Sequence, residues 1–179
     1  MREVKLSNVI IELKRGDIAN QKDMDAVVNA ANAQLRTGGG VAGAIHRAAG
    51  PELEKETRSM APIEPGEAVI SGGHNLPNKH IIHCLGPVYG RDKPENKLLA
   101  NCYKNALQRA EENDITSVAF PSISTGAFGY PMRDAARVAF QTIKQEMPKL
   151  SSVGLIRFVL WGEDAMNVHE EVMDEVFES

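Results

Sequence analysis

Short apolar runs alternate along this chain with amphipathic segments. Apolar runs bounded by turn residues are typical of buried strands, whereas apolar positions three and four residues apart indicate helices that pack on a sheet. The alternation predicts an α/β fold with helices on both faces of the sheet. The predicted strands span residues 9–13, 26–29, 68–70, 80–83, 118–120 and 155–160.

Three apolar stripes have the spacing of helices that lie on a sheet, at residues 98–110, 136–147 and 168–176. Pro94 and Pro131 precede the first two, where a missing N–H costs nothing. Two shorter helices are also predicted. One runs from Val41 to Ala49, and the other is a charged segment near residue 55 in which Glu54 and Arg58 are spaced for an ion pair.

Composition and charge narrow the class of protein. The 179 residues, 42% of them apolar, fit a single globular domain over residues 1–179. The net charge is −4 and the basic residues are dispersed, so direct nucleic-acid binding is not expected. No apolar run reaches the roughly 20 residues of a membrane span, and the start has no apolar signal core. We expect a cytoplasmic monomer that does not bind membranes, with Cys84 and Cys102 as buried free thiols.

Two glycine-rich segments carry the candidate chemistry. Residues 29–32 (NAAN) run into the glycines at 38–40, and residues 121–130 read PSISTGAFGY. Each follows an apolar run and precedes a helical pattern, an arrangement that aims backbone N–H groups at a phosphate. Two such turns predict a diphosphate site, although glycines that merely make turns remain the alternative. Neither segment has the Gly-Lys-Ser/Thr ending of a P-loop.

Six motifs in order resemble those of macro domains and cover roughly residues 4–177. They are GDI at 16–18, NAAN at 29–32, GGGV at 38–41, IHRAAG at 45–50, HCLGP at 83–87 and STGAFGYP at 124–131. The resemblance implies a three-layer α/β/α sandwich with a central mixed sheet. It also implies that ADP-ribose binds at the strand ends, and that the protein removes ADP-ribose from proteins or hydrolyses related esters.

The resemblance assigns the adenine end of the ligand to three residues. Asp17 is an acceptor-only carboxylate suited to the adenine amine, and Ile18 supplies the adjacent backbone contact. Trp161 stands where related proteins carry an aromatic side chain that walls the adenine. Two alternatives stay open: Asp17 as the N-cap of a short segment, and Trp161 as an ordinary core residue.

The diphosphate is expected between the two glycine-rich loops. A helix beginning near Val41 would add the positive end of its dipole, so no lysine is required. The expected contacts are backbone groups of Ser124, Thr125, Gly126, Ala127 and Phe128 on one side, and of Gly40, Val41 and Gly43 on the other.

The distal ribose is expected to meet Asn32, whose amide can donate and accept together. The resemblance also places Asn29 near this ribose, although Asn29 can instead tie the loop to its strand. Phe128 and Tyr130 can wall the ribose, with a hydroxyl bond to the loop backbone as the alternative for Tyr130. His46 is expected to pack rather than to act as a base.

One position departs from the family pattern. Hydrolases of the best-studied macro-domain class have Asp directly after GGGV, where this chain has Ala42. Three functions remain: hydrolysis of mono-ADP-ribosyl-protein esters or of O-acetyl-ADP-ribose by substrate-assisted water attack, non-catalytic reading of mono- or poly-ADP-ribose, and removal of phosphate from ADP-ribose 1″-phosphate. ADP-ribosylated proteins are the expected partners. No cofactor or metal is expected, because His80 and His83 would face opposite sides of a strand.

Overall fold

The computed structural model describes residues 2–178, so the two ends of the predicted 1–179 domain, residues 1 and 179, lie outside the described residues. Seven strands form one sheet in the order β1-β2-β7-β6-β3-β5-β4. The inner strands run parallel, whereas β1 pairs antiparallel with β2 and β4 pairs antiparallel with β5. The strands are β1 (Arg2–Lys5), β2 (Ile10–Arg15), β3 (Ala26–Ala30), β4 (Ala68–Gly72), β5 (His80–Cys84), β6 (Ser117–Phe120) and β7 (Leu155–Leu160).

Five helices cover the sheet, which confirms the predicted α/β/α sandwich with a mixed sheet. All six predicted strands and all five predicted helical segments are present, and β1 was not predicted. The helices are α1 (Gly40–Ala49), α2 (Glu52–Thr57), α3 (Glu95–Glu112), α4 (Met132–Glu146) and α5 (Glu163–Phe177), with short 3₁₀ turns at Arg58–Met60 and Met147–Lys149.

The two faces of the sheet bury different cores. One face packs against α3, α4 and α5 around a group of aromatic rings, in which Phe158 lies 5.0 Å from Phe140 and 5.7 Å from Phe120 between ring centroids. The other face packs against α1 and α2 through a smaller aliphatic cluster that includes Val27 and Ile45. Helix α1, which packs on this face, begins at the triple glycine and holds that loop near the strand ends. The position of α1 therefore sets the position of the site.

Both cysteines are free and buried, as the sequence predicted. Burial raises the pKa of both thiols, to about 12 for Cys102. The Cys102 thiol donates to the Leu85 carbonyl at 3.2 Å. No helix among residues 2–178 is both long and apolar enough to cross a membrane.

The predicted ion pair on α2 is wrong. Glu54 does not reach Arg58; instead its Oε1 accepts the backbone N–H of Thr37 at 2.7 Å. One turn further along α2, Thr57 Oγ1 donates to the carbonyl of Leu35 at 3.2 Å. Helix α2 therefore holds the loop that leads into the triple glycine, a role that helical spacing alone does not reveal.

Candidate ligand-binding cleft

A cleft of about 340 Å³ opens at the carboxyl ends of β3, β5 and β6. In a parallel sheet these ends meet at one edge, the usual place for a ligand. No side chain that lines the cleft is titratable. The lining residues are Ala30, Ala31, Asn32, Gly38, Gly39, Gly40, Val41, Ala42, Gly86, Ser122, Ile123, Ser124, Gly126, Ala127 and Phe128.

The amino end of α1 forms one wall of the cleft. The helix begins at Gly40, which has a left-handed φ of +54°, and its N-cap residue Gly39 provides no side-chain hydrogen bond. The first turn also lacks an acidic residue. The first N–H groups of a helix have no partner within the helix and carry the positive end of its dipole. Gly40 and Val41 thus lie where the sequence predicted a phosphate contact.

Gly43 has a different position from the one predicted. Its N–H already donates to the Gly39 carbonyl at 3.2 Å, and the residue does not line the cleft. A Cβ at Gly43 would lie 2.4 Å from the Gly38 carbonyl oxygen and 2.9 Å from Arg47 Nη1. The absence of a side chain at this position therefore lets α1 pack against the loop that precedes it.

The opposite wall is the loop that follows β6. Ser124 has a left-handed φ of +68°, and its carbonyl accepts the N–H of Tyr130 at 2.9 Å, which closes the loop on itself. The Thr125 N–H points at the Ser122 carbonyl, 3.5 Å away. Within residues 2–178, the N–H groups of the remaining predicted contacts donate to no protein acceptor; these belong to Ser124, Gly126, Ala127 and Phe128.

Gly86 was missed as a site residue, although it lies inside the HCLGP motif. It lines the cleft, and a Cβ there would lie 2.1 Å from Ser124 Oγ and 2.6 Å from Ile123 Cγ2. The Ser124 hydroxyl itself is buried without a hydrogen-bond partner in the described chain. The loop after β6 can approach β5 this closely only because residue 86 has no side chain.

Asn32 lines the cleft with its amide already oriented. Its Nδ2 donates to the Arg36 carbonyl at 2.8 Å, and its Oδ1 accepts the Arg36 N–H at 3.0 Å. An amide carries two donor hydrogens and two acceptor lone pairs, so one of each remains for a ligand. Asn32 is thus held in a fixed orientation by its own loop while it keeps the capacity to bind two neighbouring hydroxyls.

Asn29 is placed away from the cleft, fully buried beneath it. Its Nδ2 lies 3.1 Å from His83 Nδ1, and His83 Nε2 lies 2.9 Å from Ser71 Oγ. Burial lowers the pKa of His83 to about 3, so the ring is neutral. Because the Asn29 amide nitrogen can only donate, His83 Nδ1 accepts and Nε2–H donates to Ser71. The structure therefore does not bring Asn29 to the cleft; its side chain links β3 to β5, rather than a loop to its strand.

His46 lies on the sheet-facing side of α1 and is buried. Burial lowers its pKa, and its Nδ1 lies 4.0 Å from Glu54 Oε1. It does not line the cleft. This placement agrees with the predicted packing role.

The predicted adenine contacts lie on two neighbouring strand ends. Gly16, before Asp17, donates its N–H to the Leu160 carbonyl at 3.1 Å, and Leu160 precedes Trp161. Asp17 Oδ1 accepts the N–H of Ala19 at 2.9 Å, so the capping role exists and Oδ2 remains for a ligand. Ile18 is buried beside it. Trp161 is 86% exposed, so the alternative that places it in the core is wrong.

Tyr130 and Ala42 complete the surroundings. The Tyr130 ring packs on Tyr89 at 4.9 Å between centroids, and among the described residues its hydroxyl forms no hydrogen bond with the loop backbone. Ala42 presents only a methyl group to the cleft, in the first turn of α1. Fold and site together define an α/β/α protein with a cleft at the strand ends that is lined by main-chain amides without protein acceptors.

Known proteins identify the family. The family model described as Macro domain matches residues 28–139. A macro domain-containing protein of Methanosarcina mazei is 41% identical over 93% of this chain and 89% of its own length. ADP-ribose glycohydrolase MACROD2 of Xenopus laevis is 41% identical over 98% of this chain, which spans 43% of that protein's length. The chain belongs to the macro domain family.

Solved structures share the whole architecture. The macrodomain of Oceanobacillus iheyensis with ADP has a TM-score of 0.92 at 40% identity, covering 99% of this chain and 96% of that one. The Trypanosoma brucei macrodomain in complex with ADP-ribose has a TM-score of 0.84 at 34% identity, covering 90% of this chain and 68% of that one.

Proposed function

We propose that this chain binds ADP-ribose and hydrolyses its ester linkage to acidic side chains of proteins. The observation that carries the proposal is the cleft itself, which is lined by the amino end of α1, by a loop whose N–H groups lack protein acceptors among the described residues, and by the pre-oriented amide of Asn32. Main-chain donors at a helix start suit a diphosphate. Relatives named for ADP-ribose hydrolysis and for ADP-ribose binding support the choice of ligand.

The three parts of ADP-ribose match three parts of the site. The diphosphate would lie between α1 and the loop after β6, and the adenine would extend toward the ends of β2 and β7. There Asp17 Oδ2 accepts the adenine amine, and the exposed ring of Trp161 provides a stacking surface. The distal ribose would meet the remaining donor and acceptor of Asn32. Phe128, which is half-buried at the rim of the cleft, would cover it.

The reaction must proceed without a carboxylate base, because no acidic side chain lines the cleft. In our proposal a water molecule attacks C1″ of the distal ribose, and the bond to the ester oxygen breaks. The departing carboxylate takes the electron pair, and the proton of the water passes to a phosphate oxygen of the ligand and then to solvent. A carboxylate leaves without an acid catalyst because its conjugate acid has a pKa of about 4.

The missing base sets the expected rate. A positioned acid or base typically contributes about 10²- to 10⁴-fold, so this chain would be slow without being inactive. Variants of the Oceanobacillus macrodomain were solved with an asparagine, a glycine or an aspartate replaced. Asn32, Gly39 and Ala42 follow one another at the same intervals as those three positions. This spacing supports the view that Ala42 stands where the relative has its aspartate.

A reader function is the second candidate, because the cleft has ligand donors and no side chain able to take a proton. A reader would retain ADP-ribosylated proteins or the end of an ADP-ribose polymer without turnover. Hydrolysis of O-acetyl-ADP-ribose or of ADP-ribose 1″-phosphate would use the same cleft with a different leaving group.

The experiment uses a protein mono-ADP-ribosylated on glutamate and aspartate. It is incubated with the chain, and both free ADP-ribose and chain-bound modified protein are measured over time. We expect release above the no-enzyme rate, lowered about hundredfold in Asn32→Ala because the ribose loses its fixed position. Asn96→Ala, which removes an exposed amide from α3, is the matched control. Retention without release would establish the reader instead.

Ala42→Asp tests the role of the missing base. The first turn of a helix accommodates an aspartate well. We expect turnover to rise by on the order of 10²-fold if proton removal from water limits the rate. Unchanged turnover with unchanged ADP-ribose affinity would mean that another step limits the reaction.

A further inference from the structure

A second pocket lies behind the loop that carries Asn32. Its volume is about 240 Å³, and its walls are the loop itself, α2 and the 3₁₀ turn that follows α2. Two of its residues, Arg36 and Arg58, are exposed and carry guanidinium groups. The lining residues are Gln34, Leu35, Arg36, Glu54, Arg58 and Ala61, and we call this the Arg36–Arg58 pocket.

The charge of this pocket is not neutralised from within. Across residues 2–178, neither Arg36 nor Arg58 has a carboxylate oxygen within 4.0 Å. The one carboxylate in the lining, Glu54, accepts the Thr37 N–H at 2.7 Å and offsets one of the two guanidinium charges, so the lining keeps a net positive charge. The whole chain has a net charge of −4, so the positive charge of this pocket is opposite in sign to that of the molecule as a whole.

The pocket adjoins the proposed reaction centre through direct contacts. The backbone of Arg36 bonds to both ends of the Asn32 amide, at 2.8 and 3.0 Å. Asn32 lines the cleft, and Arg36 lines the pocket. A group attached to the distal ribose therefore leaves the cleft beside the loop whose other side forms this pocket. This step rests on the proposed function.

We infer that the Arg36–Arg58 pocket binds acidic side chains that flank the modified residue of an ADP-ribosylated protein. Guanidinium groups suit carboxylates because their planar donors can form two parallel hydrogen bonds. The volume also favours a side chain over a second nucleotide, since small-molecule sites typically begin at about 300 Å³. The pocket would thus select substrates by the sequence around the modification.

The test compares two synthetic peptides that carry one ADP-ribose on the same glutamate. One has aspartate and glutamate as neighbours, and the other has asparagine and glutamine there. We measure kcat/KM for ADP-ribose release by wild-type chain, Arg58→Ala and Arg58→Glu. Lys104→Ala is the control, because it removes an exposed positive charge from α3 at the other face of the sheet. The dissociation constant of free ADP-ribose is measured for each variant by calorimetry.

Wild type should prefer the acidic peptide by about fivefold or more, the effect of one partly exposed ion pair of about 1 kcal/mol. Arg58→Ala should lose most of that preference, and Arg58→Glu should reverse it. Both should leave release from the neutral peptide and affinity for free ADP-ribose unchanged. The preference should shrink as salt is raised from 0.05 to 0.5 M, concentrations chosen to span strong and weak screening.

Two outcomes would overturn the inference in distinguishable ways. If wild type binds free ADP-ribose and releases it equally from both peptides, or if the preference survives in Arg58→Glu, the pocket does not read flanking charge and the proposed function stands. If wild type neither binds ADP-ribose nor releases it from the neutral peptide, the proposed function fails and this inference fails with it.

Discussion

Two loops at opposite ends of the sheet have sets of backbone N–H groups that are not used by helices or strands, and the chain supplies a carboxylate to only one of the two sets. Before β7, the N–H groups of Ser151, Ser152 and Val153 donate to the carboxylate of Glu111 over 2.7 to 3.1 Å. After β6, Ser124, Gly126 and Ala127 line the cleft, and their N–H groups meet no protein acceptor among the described residues.

The two loops differ in the side chains that lie beside them. Glu111 is near the end of α3, and its side chain fills the turn that precedes β7. Burial alone would raise the pKa of Glu111, but the donors around it lower that pKa to about 2. No carboxylate lines the cleft beside the loop after β6, so the donors of that loop stay open. Main-chain N–H groups therefore hold the fold together where the chain supplies a carboxylate, and they remain free for a ligand where it supplies none.

The largest expected effect comes from adding a side chain at Gly86, which lies against the loop after β6. Gly86→Ala would place a Cβ 2.1 Å from Ser124 Oγ and push the loop into the cleft. We expect ADP-ribose binding to weaken by about 3 kcal/mol, or roughly 150-fold, at the upper end of typical overpacking costs. Calorimetric titration measures this. Gly154→Ala is the control, because nothing lies within 4 Å of its added Cβ. Near-normal affinity in Gly86→Ala would show that the loop tolerates displacement.

The next largest effect is expected when the charge of Glu111 is removed from the turn that precedes β7. Glu111→Gln keeps the size of the side chain but weakens hydrogen bonds to a charged acceptor. We expect the free energy of unfolding to fall by about 2 kcal/mol, while ADP-ribose affinity is unchanged. Urea denaturation gives the first quantity and calorimetry the second. Glu112→Gln, whose carboxylate pairs with Arg109 at the surface, should cost much less. Equal losses in the two variants would refute the special role of Glu111.

Acid should erase that stability difference. The pKa of Glu111 is about 2 in the folded chain, against 4.5 for an ordinary glutamate carboxyl. Below pH 4.5 the unfolded chain takes up the proton first, so the contribution is complete above that value and declines as the pH falls toward 2. The gap between wild type and Glu111→Gln should therefore be constant from pH 7 to about 5 and narrow below it. A gap that widened in acid would contradict the assignment.

The smallest effect concerns the adenine end of the cleft. Trp161 is 86% exposed, so Trp161→Ala should leave the free energy of unfolding within about 0.5 kcal/mol of wild type. Loss of base stacking, at the low end of about 1–3 kcal/mol, should weaken ADP-ribose binding about fivefold. Binding of ribose 5-phosphate, which has no adenine, should not change. Equal losses of affinity for ADP-ribose and for ribose 5-phosphate would show that Trp161 does not act by stacking on the adenine.

The inner strands β3, β5, β6 and β7 could be predicted from sequence because they are buried on both faces and appear as apolar runs. Strand β1 lacks that signal, since Arg2, Glu3 and Lys5 surround a single valine at the edge of the sheet. Its pairing with β2, Val4 opposite Ile11, depends on the assembled fold. An edge strand of this kind is visible only once its neighbour is in place.

The candidate site was predictable at the level of motifs and less so at the level of atoms. The glycine-rich stretches identified the two loops that line the cleft, but not that Gly43 packs against Gly38 or that Asn29 bonds to His83. Both depend on which side of a strand or helix turns inward. Gly86 was overlooked because its requirement comes from Ser124, which is far away in sequence.

A cleft that offers main-chain donors depends on the backbone conformation of its loops more than on the identity of their side chains. The side chain of Ala127 contributes no donor to the proposed diphosphate site, whereas the left-handed backbone of Ser124 and Gly40 orients the peptide groups around it. Many sequences can satisfy such a site, provided that they reproduce the same turns. Engineering of ligand preference in this chain should therefore begin at Trp161, Phe128 and Asn32, whose side chains can be exchanged while the peptide groups of the proposed diphosphate site stay in place.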